Sequence, residues 1–301
     1  MSSQVILRVE GLTKRFGAVT AVDGLDLEVR RGEVLGFLGP NGAGKTTTVG
    51  MILGLIAPTA GRVEYTEVSL RRIGAIIEGP AFYPYLSGRD NLRALALASG
   101  GVAPGRVDAL VESVGLADSG TRRYRTYSTG MKQRLGIAST LLCDPELIIL
   151  DEPTNGLDPA GQREVRALIP ELAREGRSVV LVSHLLHEVE QICDRVAILR
   201  HGKLLHEGPV SALVRRGFLE VRVAEPARAA AIISALPFVQ SVDVHDEALL
   251  VAVPEGRGAD ISRALGDAGL HPTAMVPRHE SLEDAFLELT DVDSAPEAAG
   301  A

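Results

Sequence analysis

Residues Gly39-Pro40-Asn41-Gly42-Ala43-Gly44-Lys45-Thr46 carry glycines and a Lys-Thr pair at the spacing G-x-x-x-x-G-K-T. Glycines let backbone N–H groups curl around a phosphate without Cβ clashes. The lysine adds a point charge for the β- and γ-phosphates, and the threonine hydroxyl can ligate Mg²⁺. The pattern predicts binding of a nucleoside triphosphate. Two more segments end in groups suited to that chemistry. Leu147-Ile148-Ile149-Leu150 runs into Asp151-Glu152, so Asp151 would hold Mg²⁺, directly or through water, and Glu152 would orient or deprotonate an attacking water. Ser178 to Val182 runs into Ser183-His184, which brings an imidazole within reach of a γ-phosphate.

These side chains need rigid elements behind them. Val34 to Leu38, Leu147 to Leu150 and Ser178 to Val182 are short apolar runs, the pattern of parallel strands buried on both faces. Groups at the carboxyl ends of such strands gather in one crevice. The stretch opened by Thr46 is helix-like, and its N-terminus favours an anion. Ser128 is placed to cap a second helix with an apolar stripe of Met131, Leu135, Ala138, Leu141 and Leu142. The N–H groups near Thr129 and Gly130 then form a second anion site.

Composition limits the setting. With 301 residues, 46% hydrophobic and 23% charged, the chain can bury a large core and form one big domain plus a small one. No apolar run approaches the roughly 18 residues of a membrane span, and Met1 to Glu10 has neither a basic start nor an apolar signal core. Any membrane role is expected to run through a partner. Cys143 and Cys193 are too few and too far apart for a disulfide scaffold or a zinc site, so a reducing cytoplasm fits and both read as core residues. The net charge of −8 argues against nucleic acid as the main ligand.

The ordered set of phosphate loop, Tyr127 to Gln133, Asp151-Glu152, Asn155-Gly156-Leu157-Asp158 and His184 resembles the ATP-binding subunit of ABC transporters. The resemblance covers residues 5 to 215 or so. It implies an α/β P-loop NTPase core with a helical subdomain at about 87–140, inside an ATPase domain spanning 1–216. Phe16 matches the aromatic that stacks on adenine, and Gly39, Pro40, Asn41, Gly42, Ala43, Gly44, Lys45, Thr46 and Thr47 match the Walker A loop. Ser128 to Gln133 match the signature, with Thr129 and Met131-Lys132 in place of the commoner Gly and Gly-Gln. Asp151 and Glu152 match Walker B, Asp158 the D-loop and His184 the switch histidine. The resemblance further implies ATP and Mg²⁺ as cofactors, and a head-to-tail homodimer in which Ser128 and Gly130 of one protomer close on the ATP of the other. A separate membrane-spanning permease would hold the subunit at the inner face of the cell membrane.

One position departs from the family. After Ile73 to Ile77, where a Mg²⁺-sensing Gln is usual, this chain has Glu78. Together with Gly79 to Leu92 it resembles the bacitracin-type branch of drug and lipid exporters. An ionised carboxylate cannot donate a hydrogen bond, but it can coordinate Mg²⁺, so Glu78 joins Thr46 and Asp151 as an expected metal ligand. The connection from Gly61 to Arg72 is short for the family, which predicts a trimmed antiparallel edge.

Phe82, Tyr83 and Tyr85 concentrate aromatics in one loop of a chain with only six phenylalanines, five tyrosines and no tryptophan. An apolar contact surface or a small satellite core would explain them. The resemblance favours the first, with the Phe82 to Tyr85 region as the permease contact. Asn91 to Ala98 and Arg106 to Val114 read as helices, broken at Gly100-Gly101 and Pro104.

After Arg216 the pattern changes. Strands are predicted at Phe218 to Val223, Val239 to His245, Ala248 to Val253 and His271 to Val276, and helices at Pro226 to Leu236, Ala259 to Ala268 and Ser281 to Leu289. This order is that of a split βαβ, ferredoxin-like module over 217–291. His245, His271 and His279 lack ligand spacing and read as solvated or structural. Residues 292–301 are small and acidic and are expected to be disordered. A cytosolic ABC ATPase acting on ribosomes or DNA would show two cassettes or a long coiled-coil insertion. A small-molecule kinase would have no use for the signature helix or Asp158.

Overall fold

The structure is a computed structural model and describes residues 4–291 apart from 67, 215, 246, 247, 255 and 280. It divides into two compact units after Val210.

The first unit opens with β1 (Val5–Phe16) and β2 (Val19–Arg30), followed by β3 (Val34–Leu38), α1 (Lys45–Ile52), β4 (Ala60–Tyr65) and β5 (Ile73–Ile76). Three helices come next, α2 (Gly88–Ala98), α3 (Arg106–Ser113) and α4 (Thr129–Thr140). The chain then returns through β6 (Leu147–Asp151), α5 (Pro159–Arg174), β7 (Ser178–Ser183), α6 (Leu186–Ile192), β8 (Arg195–Arg200), β9 (Lys203–Pro209) and the short α7 (Val210–Leu213). A six-stranded sheet runs β5-β6-β7-β3-β8-β9. Its neighbours are parallel except β8 with β9. Every residue of β3, β6 and β7 is buried, as continuous apolar runs require in a sheet covered on both faces. The sheet therefore presents Leu38, Asp151 and Ser183 along one carboxyl edge.

A second, antiparallel sheet is ordered β2-β1-β4. Leu7, Leu25 and Leu27 from it share one core with Phe37 and Ile149 of the parallel sheet and Val49 and Ile52 of α1. Each fully buried aliphatic side chain contributes about 1.5–3 kcal/mol by leaving water, so α1 is anchored from below while its N-terminus faces the carboxyl edge.

The helical segment follows its capping signals. Ser87 Oγ accepts from Asp90 N at 3.1 Å, so α2 starts at Gly88 rather than at Asn91. Helix α3 covers nearly the span read from sequence. Of the stripe residues, Leu135 and Ala138 in α4 and Leu141 and Leu142 just past its end are buried and Met131 is half-buried, but Ile137 and Gly136 are buried as well. A single apolar stripe is thus too simple: α4 packs against α2, α3, α5 and β5 and is enclosed on several sides. Cys193 is buried while Cys143 is exposed, which corrects the reading of both as core. Cys143 lies in the turn between α4 and β6, where the chain reaches the surface at Asp144 with φ +47. Burial pushes the Cys193 thiol far above its ordinary range, so it is inert.

The second unit contains β10 (Arg216–Arg222), α8 (Pro226–Ser234), β11 (Ser241–His245), β12 (Ala248–Ala252), α9 (Gly258–Asp267), β13 (Ala274–His279) and α10 (Leu282–Asp291). Its antiparallel sheet is ordered β11-β12-β10-β13. Leu219, Val221, Leu249 and Val251 pack there with Ala229 and Ile233 of α8 and Ile261 and Leu265 of α9. This is the ferredoxin-like order. The last strand lies later than expected: pairing begins when Thr273 N donates to Arg222 O at 2.8 Å, which leaves His271 in the connection. Pro277 is tolerated because β13 is an edge strand. The expected tail, 292–301, lies outside the described residues.

Candidate functional site: a phosphate cradle at the carboxyl edge

The loop from Gly39 to Gly44 links β3 to α1 and is built around glycine. Gly44 has φ +104, and a Cβ there would run into the Ala21 carbonyl oxygen, so only glycine fits. Lys45 is buried and its ammonium folds back onto its own loop, donating to Gly39 O at 2.6 Å and Pro40 O at 3.3 Å. Burial lowers its pKa, while Glu152 and Asp151 pull it upward. The Thr48 hydroxyl donates to Gly44 O at 2.9 Å and braces the first turn of α1.

Asp151 closes β6 and is buried. Its Oδ2 accepts from Thr46 Oγ1 at 3.3 Å, while its Oδ1 is buried with no hydrogen-bond partner. Burial raises its pKa; Thr46 and Lys45 oppose the rise, and Glu152 and Glu78 add to it. Glu152 follows in a left-handed conformation, φ +49, with its N–H given to Val182 O at 2.9 Å. Both its carboxylate oxygens lie 2.8 Å from His184 Nδ1, which selects the tautomer protonated there. Glu78 is left-handed too, φ +56. Left-handed backbone at a non-glycine residue costs about 1–3 kcal/mol and gathers at functional sites. Here two such glutamates flank one phosphate cradle.

A cleft of about 530 Å³ gathers Asn41 to Thr47, Glu78, Asp151 and Glu152. The Thr46 hydroxyl, the unpartnered Asp151 oxygen and Glu78 are hard oxygen donors, and Mg²⁺ takes one or two carboxylates together with phosphate oxygens. The donor set fits that ion. Among the described residues no group of three or more His, Cys, Asp or Glu forms a cage for a metal by itself.

The cleft also includes Gln133 and Asn155, which sequence reasoning had read only as parts of the signature and the D-loop region. Six expected nucleotide ligands do not line it, Gly39 and Pro40 at the start of the loop and Phe16, Ser128, Gly130 and Asp158 farther off, and neither does His184. Phe16 is 51% exposed at the turn of the β1–β2 hairpin, with Lys14 Nζ 5.0 Å from its ring centroid. Ser128 caps α4, its hydroxyl accepting from Met131 N at 3.2 Å, and Gly130 lies in the first turn of that helix. Asp158 caps α5 by accepting from Gly161 N at 3.0 Å.

The aromatic loop divides. Phe82 packs edge-on against Tyr124 at 5.1 Å, the satellite-core arrangement, whereas Tyr83 and Tyr85 are 55% and 65% exposed. Buried Asn91 fixes the loop: it donates to Tyr83 O at 3.1 Å and Ser87 O at 3.0 Å and accepts from Tyr83 N at 2.8 Å. Nothing in the sequence singled out Asn91 beyond its place in a helix. No helix among the described residues is long and apolar enough to cross a membrane.

Known proteins share this architecture. Residues 22–155 match the family described as ABC transporter. The bacitracin transport ATP-binding protein BcrA of Bacillus licheniformis is 39% identical over 296 residues, spanning 94% of this chain and 97% of that protein. The daunorubicin resistance ATP-binding protein DrrA3 of Streptomyces coeruleorubidus is 37% identical over 304 residues, spanning 95% of this chain and 96% of that protein. A solved ATP-binding subunit of an ABC transporter superposes with a TM-score of 0.62 at 30% identity, covering 69% of this chain and 91% of its own. With a phosphate loop, an acidic pair and a histidine meeting at one sheet edge in such company, the chain belongs to the ATP-binding subunits of ABC transporters.

Proposed function

We propose that this ATPase subunit works as a head-to-tail homodimer on Mg-ATP and powers export of an antibiotic, drug or lipid through a separate membrane-spanning permease. Lys45 and the N–H groups of residues 41–47 hold the β- and γ-phosphates, and Phe16 stacks on adenine. Thr46, Asp151 and Glu78 would hold Mg²⁺, which neutralises charge developing between the β- and γ-phosphates. Glu152 aligns a water with the γ-phosphorus and takes its proton as the new P–O bond forms and the bond to ADP breaks. His184 holds the Glu152 carboxylate through Nδ1, and its opposite edge meets the γ-phosphate. Ser128, Gly130 and Asp158 act across the dimer, which accounts for their lying off the cleft of their own chain.

The observation that carries this reading is the meeting of Thr46 with Asp151 and of Glu152 with His184 around the Lys45 loop. The names of the bacitracin and daunorubicin relatives support the class of cargo, and the exposed pair Tyr83 and Tyr85 supports a permease contact. In this reading 1–216 is the motor and 217–291 an accessory, dimer-supporting domain. Co-expression with the membrane protein encoded beside its gene tests the proposal. The two should copurify, and in vesicles ATP should drive drug export that the Tyr83→Ala/Tyr85→Ala variant reduces. Failure to copurify, or export indifferent to ATP, overturns it.

A further inference from the structure

We infer that Thr154 and Glu188 form a buried latch that sets Glu152 against His184, making both positioning residues for ATP hydrolysis. The inference rests on the reading of Glu152 and His184 as the hydrolytic pair. Thr154 is 1% exposed and Glu188 4% exposed, and Thr154 Oγ1 donates to Glu188 Oε2 at 2.6 Å. Thr154 lies just beyond Glu152 in the segment leaving β6, and Glu188 sits in α6, the helix that follows His184. The latch therefore joins the same two segments that the Glu152–His184 contact joins, at a buried position beside it. On the other side, Glu152 N is tied to Val182 O at 2.9 Å. The left-handed Glu152 is bracketed between these two bonds.

Glu188 is an unusual choice for a static staple. Its Oε1 is buried without a hydrogen-bond partner, whereas buried carboxylates are normally satisfied at both oxygens. Arg166 of α5 stands 4.0 Å from that oxygen and is held at Gln162 O (3.4 Å) and Gln191 Oε1 (3.0 Å). Glu188 thus has a spare acceptor and a cation one small rotation away, on the helix that Asp158 caps. A movement of α5 that closes this gap would pass through the carboxylate to Thr154 and so to Glu152. Catalytic geometry tolerates little error, since a displacement of about 1 Å can lower turnover about 10²-fold.

The test compares Thr154→Val, Thr154→Ser, Glu188→Gln and the double Thr154→Val/Glu188→Gln by steady-state ATP hydrolysis, with Glu152→Gln in parallel. Thr154→Val should lower kcat by about 10- to 100-fold with KM for ATP within about two-fold. Thr154→Ser, which restores the hydroxyl, should recover most of it. The double variant should be no worse than Thr154→Val, because both changes break one unit. Thr154→Val turning over at the wild-type rate, or Thr154→Ser as impaired as Thr154→Val, overturns the latch. If Thr154→Val does not fold, Glu188→Gln carries the test: it keeps the volume and an acceptor for Thr154 but loses the charge facing Arg166, and an unchanged kcat counts against the proposal. Wild-type turnover in Glu152→Gln would instead remove the hydrolytic pair itself, whereas an inactive Glu152→Gln beside a fully active Thr154→Val condemns the latch alone.

Discussion

Thr46 Oγ1 and Asp151 Oδ2 lie 3.3 Å apart, joining the first turn of α1 to the last residue of β6. The contact occupies one oxygen of a buried carboxylate and leaves Oδ1 without a partner. In a core this would be a defect, since an unsatisfied buried acceptor costs about 1–3 kcal/mol. At the mouth of a phosphate loop the spare oxygen is open to a hard cation, and in the proposed site the stability lost there would be traded for affinity for Mg-ATP.

That trade can be measured through Asp151→Asn. Burial holds the folded pKa above the ordinary carboxyl value of 3.8. The folded state therefore binds the proton more tightly than the unfolded chain does, and stability falls as pH rises through the interval from 3.8 to the raised folded value. Removing the charge should raise the melting temperature of the protein without ligand by about 1–4 °C at neutral pH and abolish its stabilisation by Mg-ATP. A melting temperature that drops without ligand would contradict this account.

Glu152→Gln should keep ATP affinity and lose most turnover, because the phosphate and metal contacts remain while the proton acceptor is gone. Loss of a general base lowers rate about 10²- to 10⁴-fold. Size-exclusion chromatography with Mg-ATP should then show an accumulated dimer. Lys45→Ala, which removes the ammonium now held at Gly39 O and Pro40 O, should fail in binding or turnover and form no such dimer. A Glu152→Gln protein that hydrolyses ATP like wild type would show that the base lies elsewhere.

Glu78 lines the cleft in a left-handed conformation. Glu78→Gln should shift the Mg²⁺ concentration needed for half-maximal ATPase activity, by several-fold, more than it shifts ATP affinity. The shift follows from replacing an oxygen anion with a neutral amide near a divalent ion. Superimposable Mg²⁺ titrations of the two proteins would rule out a metal-linked role.

Much of this site was readable from local pattern. The phosphate loop and the three runs feeding it are short and continuously apolar, so their strand character and shared edge follow from burial on both faces. Long-range pairing was not readable. Strands β1 and β2 carry register shifts between Val9 and Leu12 and between Leu12 and Lys14, with Gly11 at φ +55, and these bulges break the alternation that reveals a strand. The Thr154–Glu188 bond spans 34 positions, and the hydrogen bonds of Asn91 depend on a loop folding back over its helix. Neither leaves a periodic trace. The aromatic loop shows the same limit, since composition gave the cluster but only packing separates inward Phe82 from outward Tyr83 and Tyr85.

The unit after Val210 has its own core of Leu219, Val221, Leu249 and Val251 beneath two helices and, among the described residues, no cluster able to hold a metal. Its expected contribution is to keep two ATPase units near each other between turnovers, raising their effective concentration when no ATP bridges them. A chain ending at Val214 removes β10 onward and leaves all thirteen expected nucleotide-binding residues from Phe16 to Asp158, with Glu78, Asp151, Glu152 and His184, in place. Nucleotide binding by this shortened chain should match that of the full protein. Its ATPase activity per protomer should fall at nanomolar concentration and recover as concentration rises, because encounter then replaces tethering. Activity lost equally at every concentration would point to a folding defect in the ATPase unit. Activity unchanged at nanomolar protein would show that dimerisation needs no help from the second unit.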